Sequence, residues 1–421
     1  MLSTTSLRNS GNNIDFISQP GKGVVRLGTV SIMVALLSVE PLSFGIVGGG
    51  FYGCHIATSL RTLGFEVKVF EQHTRLLHEA SGNNQFRLHM GFHYARHSDT
   101  RIQSRDGFLR FLERYPGLSR SVPCNTYAVA SRESLLDYGT YRAVMASSGV
   151  EFTEGAPMGV ELANVAGVVR TGERVLLLAK ARAHFAAELA GVLALGQAVS
   201  SIVDTGAGVF IDGERFDYGV DATWGHLARP PGIEVVYEPT LLLYYEGPVD
   251  FPAVTLVDGP LCSVYPTEEP GLFTLSSVPH TPLGQFLCPH EARAARDRVA
   301  GAPEVIAAKR ALMEEQVARY VPSFAKTFRY VGPQLAIKTK PCGAWDDRSC
   351  QVVRRGRMLS VLSGKIDTVF FAMERIVALV EEAQAAAGLE DAVSSLRADI
   401  ALINVRAGVN GADEGGRRER L

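Results

Sequence analysis

The sequence has few cysteines, few tryptophans and no strong excess of charge of either sign. It contains six cysteines and two tryptophans in 421 residues, and its formal net charge is −2. The cysteines are scattered and form no Cys-x-x-Cys pair, so we expect reduced thiols in a cytoplasmic protein rather than a disulfide framework. No long block of like charge occurs, and nothing therefore indicates a nucleic-acid partner.

Long apolar runs and the common metal motifs are also missing. The most apolar stretch near the start, residues 30–39, is shorter than the roughly 20 residues that a membrane-spanning helix needs. No clean cleavage site for a secretory signal follows it, and we expect a soluble protein with no membrane partner. The histidines and cysteines show no metal-ligand spacing on a confident helix, so no metal ion is expected.

Both ends of the sequence differ in composition from the rest. Residues 1–40 begin with a polar stretch rich in Ser, Asn and Gly, and residues 405–421 are rich in Gly, Arg and Glu. These compositions predict a disordered extension at the start and a disordered tail at the end. A native start at Met33 would make the residues before it dispensable.

The remaining sequence alternates between helix and strand patterns, which is typical of an α/β fold. Residues 173–195 have the apolar period of a long helix, and residues 367–387 have that of a second. Several strand-like segments lie between Ile233 and Ile337, separated by Pro, Gly and acidic turns. They predict an antiparallel sheet with one helix, residues 304–320, beside it.

A glycine-rich turn lies between the first predicted strand, residues 43–47, and the first helix, in the order G-x-G-x-x-G. Gly48 permits the tight turn, Gly50 lets a pyrophosphate approach the backbone, and Gly53 allows the helix to pack closely on the strand. The amino end of the helix can then bind phosphate. Glu71 ends the second strand, where its carboxylate can accept hydrogen bonds from ribose hydroxyls. This register predicts a dinucleotide site.

The segment that follows distinguishes between the possible dinucleotides. It contains the small polar loop Ser81-Gly82-Asn83-Asn84-Gln85, and at this point the chain resembles the D-amino-acid-oxidase-like family of FAD-dependent oxidoreductases. Residues 198–225 resemble the family's returning cofactor segment, and residues 340–365 resemble the C-terminal portion that closes over the flavin. The family's common Arg-Pro is Lys340-Pro341 here.

The resemblance implies FAD as the cofactor and a Rossmann-like FAD-binding domain, with a discontinuous second domain built on the antiparallel sheet. The FAD-binding domain would comprise residues 41–98, 160–228 and 338–388, and the substrate domain residues 99–159 and 229–337. The residues predicted to contact the cofactor are Gly48, Gly50, Phe51, Tyr52, Gly53, Glu71, Gln72, Ser81, Gly82, Asn83, Asn84, Val199, Thr223, Gly225, Gly364, Lys365 and Ile366.

Three residues are predicted to take part in the chemistry. Lys365 coincides with the family's flavin-capping turn, where a cation would stabilise negative charge on the reduced ring. Arg87 could bind a substrate carboxylate, and His93 could accept a proton near neutral pH. If the chain continues as an extended strand, either Arg87 and His89 or His89 and His93 would face the substrate. The expected reaction removes a hydride from a C–N or C–OH centre of a small molecule.

Three alternatives remain open from the sequence. Gly356-Arg357-Met358-Leu359 fits the beginning of a motif of aromatic-hydroxylase-type flavin monooxygenases, although Lys365 stands where their aspartate is expected. A non-redox flavoenzyme that acts on a nucleotide sugar would share the first motif, as would a flavin-binding protein with no catalysis. Cys342 lies near the point where some amine-oxidising relatives attach flavin covalently. Substrate, electron acceptor and oligomeric state stay undetermined.

Overall fold

The computed structural model describes residues 41–155, 159–343 and 347–386. Its strands are β1 (Ser43–Val47), β2 (Glu66–Glu71), β3 (Arg87–Leu88), β4 (Ser119–Ser121), β5 (Asn125–Ala130), β6 (Phe152–Glu154), β7 (Val165–Thr171), β8 (Arg174–Leu176), β9 (Leu193–Leu195), β10 (Ile202–Asp204), β11 (Val209–Ile211), β12 (Glu214–Phe216), β13 (Tyr218–Asp221), β14 (Val235–Glu246), β15 (Val254–Val257), β16 (Cys262–Pro266), β17 (Leu272–Ser277), β18 (Arg329–Pro341), β19 (Gln351–Arg355) and β20 (Met358–Leu362). Its α-helices are α1 (Phe51–Thr62), α2 (Ser98–Arg114), α3 (Tyr138–Ser147), α4 (Leu178–Glu188), α5 (Pro289–Ala300), α6 (Pro303–Ala318), α7 (Phe324–Thr327) and α8 (Val369–Ala386).

A six-stranded sheet forms around β1, in the order β19-β20-β13-β1-β2-β9. All neighbours in it are parallel except β19, which pairs with β20 in the antiparallel sense. The apolar residues of β1 are buried, and α1 and α8 pack with it into one hydrophobic core. Parallel strands covered by helices are typical of nucleotide-binding folds, and they bring the carboxyl ends of β1, β2 and β13 to one edge.

A second, eight-stranded sheet has the order β18-β14-β17-β16-β15-β5-β7-β6 and is antiparallel except between β15 and β5. The long strands β14 and β18 pair along twelve positions, with an irregularity between Tyr244 and Tyr245. Met313 and Val317 of α6 are buried in the core of this sheet. Two small sheets, β10-β11-β12 and β3-β8-β4, complete the described part. The predicted antiparallel sheet is therefore present.

Several predicted elements differ from the observed ones. The single helix predicted over residues 173–195 is wrong, because the structure has β8, the shorter helix α4 and β9 there. Glu173 lies in the turn before β8, and strand pairing with β3 and β4 overrides the apolar period. The final helix begins at Val369 after a 3₁₀ turn over Ile366–Thr368, and α5 was not predicted.

The described residues contain no helix that is both long and apolar enough to cross a membrane. The predicted disordered extension, residues 1–40, and the tail, residues 405–421, lie outside the described residues, as does Met33. Both large sheets belong to one compact unit that begins at Leu42. The boundaries of an FAD-binding and a substrate domain therefore stay a prediction.

Candidate active site

A cavity of about 590 Å³ opens at the carboxyl ends of β1, β2 and β13. Its wall has two parts. The nucleotide end is formed by the turn at residues 48–53, Glu71 and the loop at residues 81–85, of which Gly49, Gly53 and Gly82 do not border the cavity themselves. The inner wall consists of the cavity-lining side chains of Arg87, His89, His93 and Lys365.

The glycines of the first turn are required by space and conformation. Gly48 has φ +107°, and a Cβ at Gly53 would lie 1.9 Å from the carbonyl oxygen of Gly48, so close packing of α1 on the turn needs both glycines. Gly50 precedes α1 without any side-chain cap, and the first turn of the helix has no acidic residue. Ser81 Oγ accepts a hydrogen bond of 3.0 Å from the amide of Phe51. The amino end of α1 is therefore suited to an anion.

Glu71 is buried and held by backbone. Its Oε2 accepts a hydrogen bond of 2.7 Å from the amide of Gly49, and its Oε1 accepts one of 2.8 Å from the amide of His73. Each oxygen keeps a further lone pair for a ligand hydroxyl. Glu71 and its neighbour Gln72 both border the cavity.

The polar loop after β2 is stabilised by its own side chains. The side-chain nitrogen Nδ2 of Asn83 donates to the carbonyl oxygens of His78 and Glu79. Nδ2 of Asn84 donates to the carbonyl oxygens of Ala80 and Ser81. The two amides therefore fix the loop's shape. Gly82 does not line the cavity: its missing side chain would lie 2.2 Å from the backbone of Leu77. Ser81, Asn83 and Asn84 do line it.

The other predicted cofactor residues come from segments distant in sequence. Those that border the cavity are Phe51, Tyr52, Val199, Thr223, Gly364, Lys365 and Ile366. Gly225 does not; it has φ +76°, and a Cβ there would lie 3.3 Å from the Tyr237 hydroxyl oxygen. The Tyr52 hydroxyl donates to the Lys365 carbonyl oxygen at 2.6 Å and contacts Ser363 Oγ at 2.6 Å. It thereby joins α1 to the segment before α8.

Arg87 is anchored from behind by a buried chain of hydrogen bonds. Its Nη1 donates to the Tyr127 hydroxyl oxygen at 3.0 Å, and that hydroxyl donates to Glu173 Oε2 at 2.6 Å. The other oxygen, Oε1, accepts from the amide of Met90 at 2.8 Å. The guanidinium stacks 4.0 Å from the ring centroid of Tyr265. Among the described residues, Arg87 Nε and Nη2 have no hydrogen-bond partner.

Sequence reasoning missed Glu173, although its chemistry is unusual. The residue is 1% exposed, and burial alone would raise its pKa. Its interactions with His89 and Arg87 and the hydrogen bond from Tyr127 outweigh burial and lower the pKa of Glu173 to about 2. The site therefore contains a permanent buried anion that no local motif indicated.

The two histidines of the inner wall are brought together by a bend. The predicted extended strand is wrong beyond Leu88, since Gly91 has φ +105° and a Cβ there would lie 2.7 Å from the carbonyl oxygen of Arg101. The ring centroids of His89 and His93 are 6.1 Å apart. Burial, and the nearby charge of Lys365, lower the pKa of His89 to about 3. Burial, Arg87 and His89 lower the pKa of His93 well below its usual value, so both rings are uncharged at neutral pH.

Lys365 lies before the 3₁₀ turn and is 5% exposed. Its Nζ has no hydrogen-bond partner among the described residues and lies 4.1 Å from the ring centroid of Tyr94. The side chain of Lys365 is therefore buried at the cavity and not solvated at the protein surface.

Two further lysines on β18, Lys338 and Lys340, line the cavity. The family's Arg-Pro position pointed to Lys340, and no sequence signal pointed to Lys338. Lys340 forms an ion pair with the buried Glu238, so its charge is compensated within the protein. Burial, together with the charges of Lys340 and Arg348, lowers the pKa of Lys338 to about 8. Lys338 therefore has a more readily lost proton than an ordinary lysine.

Cys342 and the beginning of the hydroxylase-like motif lie away from the inner wall. Cys342 is exposed and does not border the cavity, which gives covalent attachment of a flavin there no support. Gly356 and Arg357 form the hairpin turn between β19 and β20, where Arg357 donates to the Gly206 carbonyl oxygen. The beginning of the hydroxylase-like motif is therefore outside the cavity.

His73, His78 and Glu79 form the group with metal-ligand atoms within 4.8 Å of one another in the described part of the chain. His73 Nε2 and Glu79 Oε1 already form a hydrogen bond of 2.9 Å. Glu79 also pairs with Arg296 at 3.4 Å. These partners compete with any cation, and we assign no metal to the group.

Comparisons with known proteins agree on the fold and on the cofactor. Residues 44–335 match the family model described as DAO, FAD dependent oxidoreductase. The chain is 70% identical over 344 residues, covering 82% of this chain and 92% of the relative, to FAD-dependent monooxygenase FPY4 of Fusarium mangiferae. It is 28% identical over 376 residues, covering 81% of this chain and 86% of the relative, to FAD-dependent monooxygenase kojA of Aspergillus flavus.

Solved structures share the fold at low sequence identity. Glycine oxidase from Geobacillus kaustophilus superimposes with a TM-score of 0.60 at 17% identity, covering 82% of this chain and 95% of that one. L-α-glycerophosphate oxidase from Mycoplasma pneumoniae, solved with FAD bound, gives a TM-score of 0.61 at 15% identity, covering 81% and 95%. At these identities the likeness shows the fold alone.

The cavity residues fit FAD. The amino end of α1, where Gly50 provides no side-chain cap, suits a pyrophosphate, and the carboxylate of Glu71 suits ribose hydroxyls. Lys365 is a buried cation of the inner wall whose Nζ has no hydrogen-bond partner among the described residues, and it suits the negative charge of a reduced flavin. The family model matches more than half of the chain, residues 44–335. Together with this match, the cavity residues show that the chain is an enzyme of the DAO family of FAD-dependent oxidoreductases.

Proposed function

We propose that the enzyme oxidises a small acid, such as an amino acid or a hydroxy acid, by removing a hydride from the carbon that bears the amine or hydroxyl. FAD, when bound, supplies the ring that accepts the hydride. One observation carries the proposal. Two buried cations, Arg87 and Lys365, border the cavity together with two uncharged histidines, and Nε and Nη2 of Arg87 and Nζ of Lys365 have no hydrogen-bond partner among the described residues.

Arg87 would bind the acid group of the substrate. The edge of its guanidinium formed by Nε and Nη2 is the one without partners. This edge matches the two oxygens of a carboxylate, and a bidentate pair of this kind is strong because both hydrogen bonds are charge-assisted. Lys365 would stabilise the negative charge that the reduced flavin acquires.

His93 would accept the proton that leaves the substrate amine or hydroxyl. Its depressed pKa keeps the ring in the unprotonated form at neutral pH, and the same shift makes it a weak base, which the negative charge of a bound carboxylate would offset. Nδ1 of His93 is buried and has no hydrogen-bond partner among the described residues.

A second function is favoured by the names of the relatives. FPY4 and kojA are both named FAD-dependent monooxygenases. A monooxygenase would reduce its flavin with an external donor such as NAD(P)H and transfer one oxygen atom from O₂ to its substrate. The location of Gly356 and Arg357 outside the cavity removes the sequence motif that supported an aromatic-hydroxylase type.

Anaerobic flavin reduction distinguishes the two functions. The FAD-loaded enzyme is mixed without oxygen with a panel of amino acids, amines and hydroxy acids, and separately with NADH and NADPH. We expect members of the acid panel to bleach the flavin on their own. Bleaching by a nicotinamide alone, followed by incorporation of ¹⁸O from ¹⁸O₂ into a product, would replace our proposal with the monooxygenase.

A further inference from the structure

We propose that Tyr127 and Glu173 are positioning residues that hold Arg87 in its acid-binding orientation. The proposal rests on the proposed function, since it assumes that Arg87 binds an anionic group of the substrate. Neither residue borders the cavity, so neither is expected to touch substrate or cofactor.

The hydrogen bonds behind Arg87 run in one direction and end on a fixed anion. Nη1 donates to Tyr127, and Tyr127 donates to Glu173. A tyrosine hydroxyl has one proton, so donating it to Glu173 leaves the oxygen free to accept from Arg87. Glu173 accepts a hydrogen bond at each of its two oxygens, from the amide of Met90 and from Tyr127, and this arrangement favours an ionised carboxylate.

The anchor selects which edge of the guanidinium stays free. Nη1 is engaged by Tyr127, and the ring of Tyr265 covers one face of the group at 4.0 Å. The edge with Nε and Nη2 is then the part of the guanidinium without partners. A loose arginine side chain would lose rotamer entropy on binding a carboxylate, whereas an anchored one has already lost it.

The buried anion leaves the charged donors of the inner wall available to a ligand. Glu173 reaches Arg87 through Tyr127, and Nε and Nη2 of Arg87 and Nζ of Lys365 have no hydrogen-bond partner among the described residues. A carboxylate would satisfy these donors with charge-assisted hydrogen bonds, which are stronger than those of a neutral acceptor. The arrangement therefore favours an anionic acid over a neutral analogue.

A double-mutant cycle on the FAD-loaded enzyme tests the proposal. Acetate serves as the anionic probe and acetamide as its uncharged isostere, and the perturbation of the flavin spectrum reports binding. We expect Tyr127→Phe to weaken acetate binding about tenfold, which corresponds to about 1.4 kcal/mol, and to leave acetamide binding unchanged. In the Arg87→Met background, Tyr127→Phe should have no further effect.

Tyr141→Phe is the matched control. Tyr141 lies in the same hydrophobic cluster, is as fully buried as Tyr127, and donates one hydrogen bond of 2.9 Å, to the Phe92 carbonyl oxygen. It is not part of the hydrogen bonds behind Arg87. This variant should bind acetate as the wild type does, so a general loosening of the core can be recognised.

The possible outcomes separate the two proposals. If Arg87→Met binds acetate normally, or if the wild type does not distinguish acetate from acetamide, the acid site of the proposed function is wrong. Two results would show that only the positioning role is wrong. In the first, Arg87→Met weakens acetate binding but Tyr127→Phe does not. In the second, Tyr127→Phe weakens acetate binding equally in the wild-type and Arg87→Met backgrounds. Should Tyr127→Phe fail to fold, Glu173→Asp replaces it. It keeps the charge but shortens the reach to Tyr127, and wild-type affinity for acetate would then overturn the role.

Discussion

The two parts of the cavity wall differ in how their polar groups are satisfied. At the nucleotide end, Glu71 and Ser81 are bonded to backbone amides close by, and each glycine is explained by a turn or a close approach. On the inner wall, Arg87 and Lys365 have polar atoms without partners among the described residues. Unsatisfied buried cations destabilise a fold unless a ligand completes them. The polar side chains of the nucleotide end therefore already have partners within the protein and offer spare lone pairs and backbone to a ligand, whereas the inner wall offers charged donors that have no such partners.

Blocking the nucleotide end should have the largest effect on the enzyme. Gly50→Leu places a branched side chain where the Cβ alone would lie 3.2 Å from Ser81 Oγ. We expect FAD affinity to fall by a factor of roughly 10³ or more, because phosphate must approach the backbone here. Titration with FAD and retention of yellow colour on gel filtration measure the effect.

The control is Gly117→Leu, because a Cβ at Gly117 meets no atom within 4 Å. It should retain the cofactor. A Gly50→Leu enzyme that binds FAD like the wild type would show that the cofactor does not rest on this turn.

The second experiment removes a cation from the inner wall. Arg87→Met should lower the second-order rate constant for anaerobic flavin reduction by an acid substrate about 100-fold, since a charge-assisted bidentate contact contributes roughly 3 kcal/mol. FAD affinity should stay within a few-fold. Stopped-flow absorbance measures the rate.

Arg142→Met provides the comparison, because Arg142 forms an exposed pair with Glu154 far from the cavity lining. Equal rates for the two variants would mean that the inner wall does not recognise the acid group.

The third experiment examines the buried anion behind the inner wall. Glu173→Gln replaces an oxygen that accepts a hydrogen bond with an amide that donates one, opposite either Met90 or Tyr127. We expect a loss of roughly 2–3 kcal/mol in the free energy of unfolding at pH 7.

The pH dependence of that loss has a definite sign. The pKa of Glu173 is about 2 in the folded protein, below its ordinary value of 4.5. Its stabilising contribution is therefore fully present above about pH 4.5 and is lost as the pH falls toward 2. The difference between wild type and variant should shrink over that window. A difference that stays constant with pH would show that Glu173 is not ionised in the folded state.

The smallest effect concerns Lys338. Because its pKa is lowered to about 8 from 10.5, the charged form destabilises the folded protein below about pH 8, and this cost disappears as the pH rises toward 10.5. Lys338→Met should thus stabilise the holoenzyme at pH 7, on the order of 1 kcal/mol after allowance for partial exposure.

The increase in stability caused by Lys338→Met should be smaller at pH 9.5 than at pH 7, and thermal unfolding at both pH values measures it. A variant less stable than the wild type at pH 7 would mean that the lysine has a partner that compensates its charge.

The nucleotide end could be predicted from the sequence more completely than the inner wall. The turn at residues 48–53, Glu71 and the loop at residues 81–85 are each encoded within one short segment, so spacing located the first two and resemblance to the family located the loop. The α/β class and the antiparallel sheet followed from periodicity in the same way. The first strand, Ser43–Val47, was predicted at its observed bounds.

The inner wall could be predicted only in part, because tertiary contacts assemble it. Arg87, His93 and Lys365 were suggested by residue type and by family resemblance. Glu173 was assigned to a helix, since its short strand β8 forms only by pairing with β3 and β4. Its contact with Tyr127 joins positions 46 residues apart. No local pattern contains that information.

The bend at Gly91 has a consequence for how this enzyme can vary. The residue carries no functional group, yet its backbone conformation and its closeness to Arg101 determine where both inner-wall histidines lie. A side chain there would have to push α2 away or straighten the chain, and either change would separate the rings. The placement of the two histidines therefore depends on the absence of a side chain at Gly91. A substitution there would disturb this placement without changing any of the four inner-wall residues.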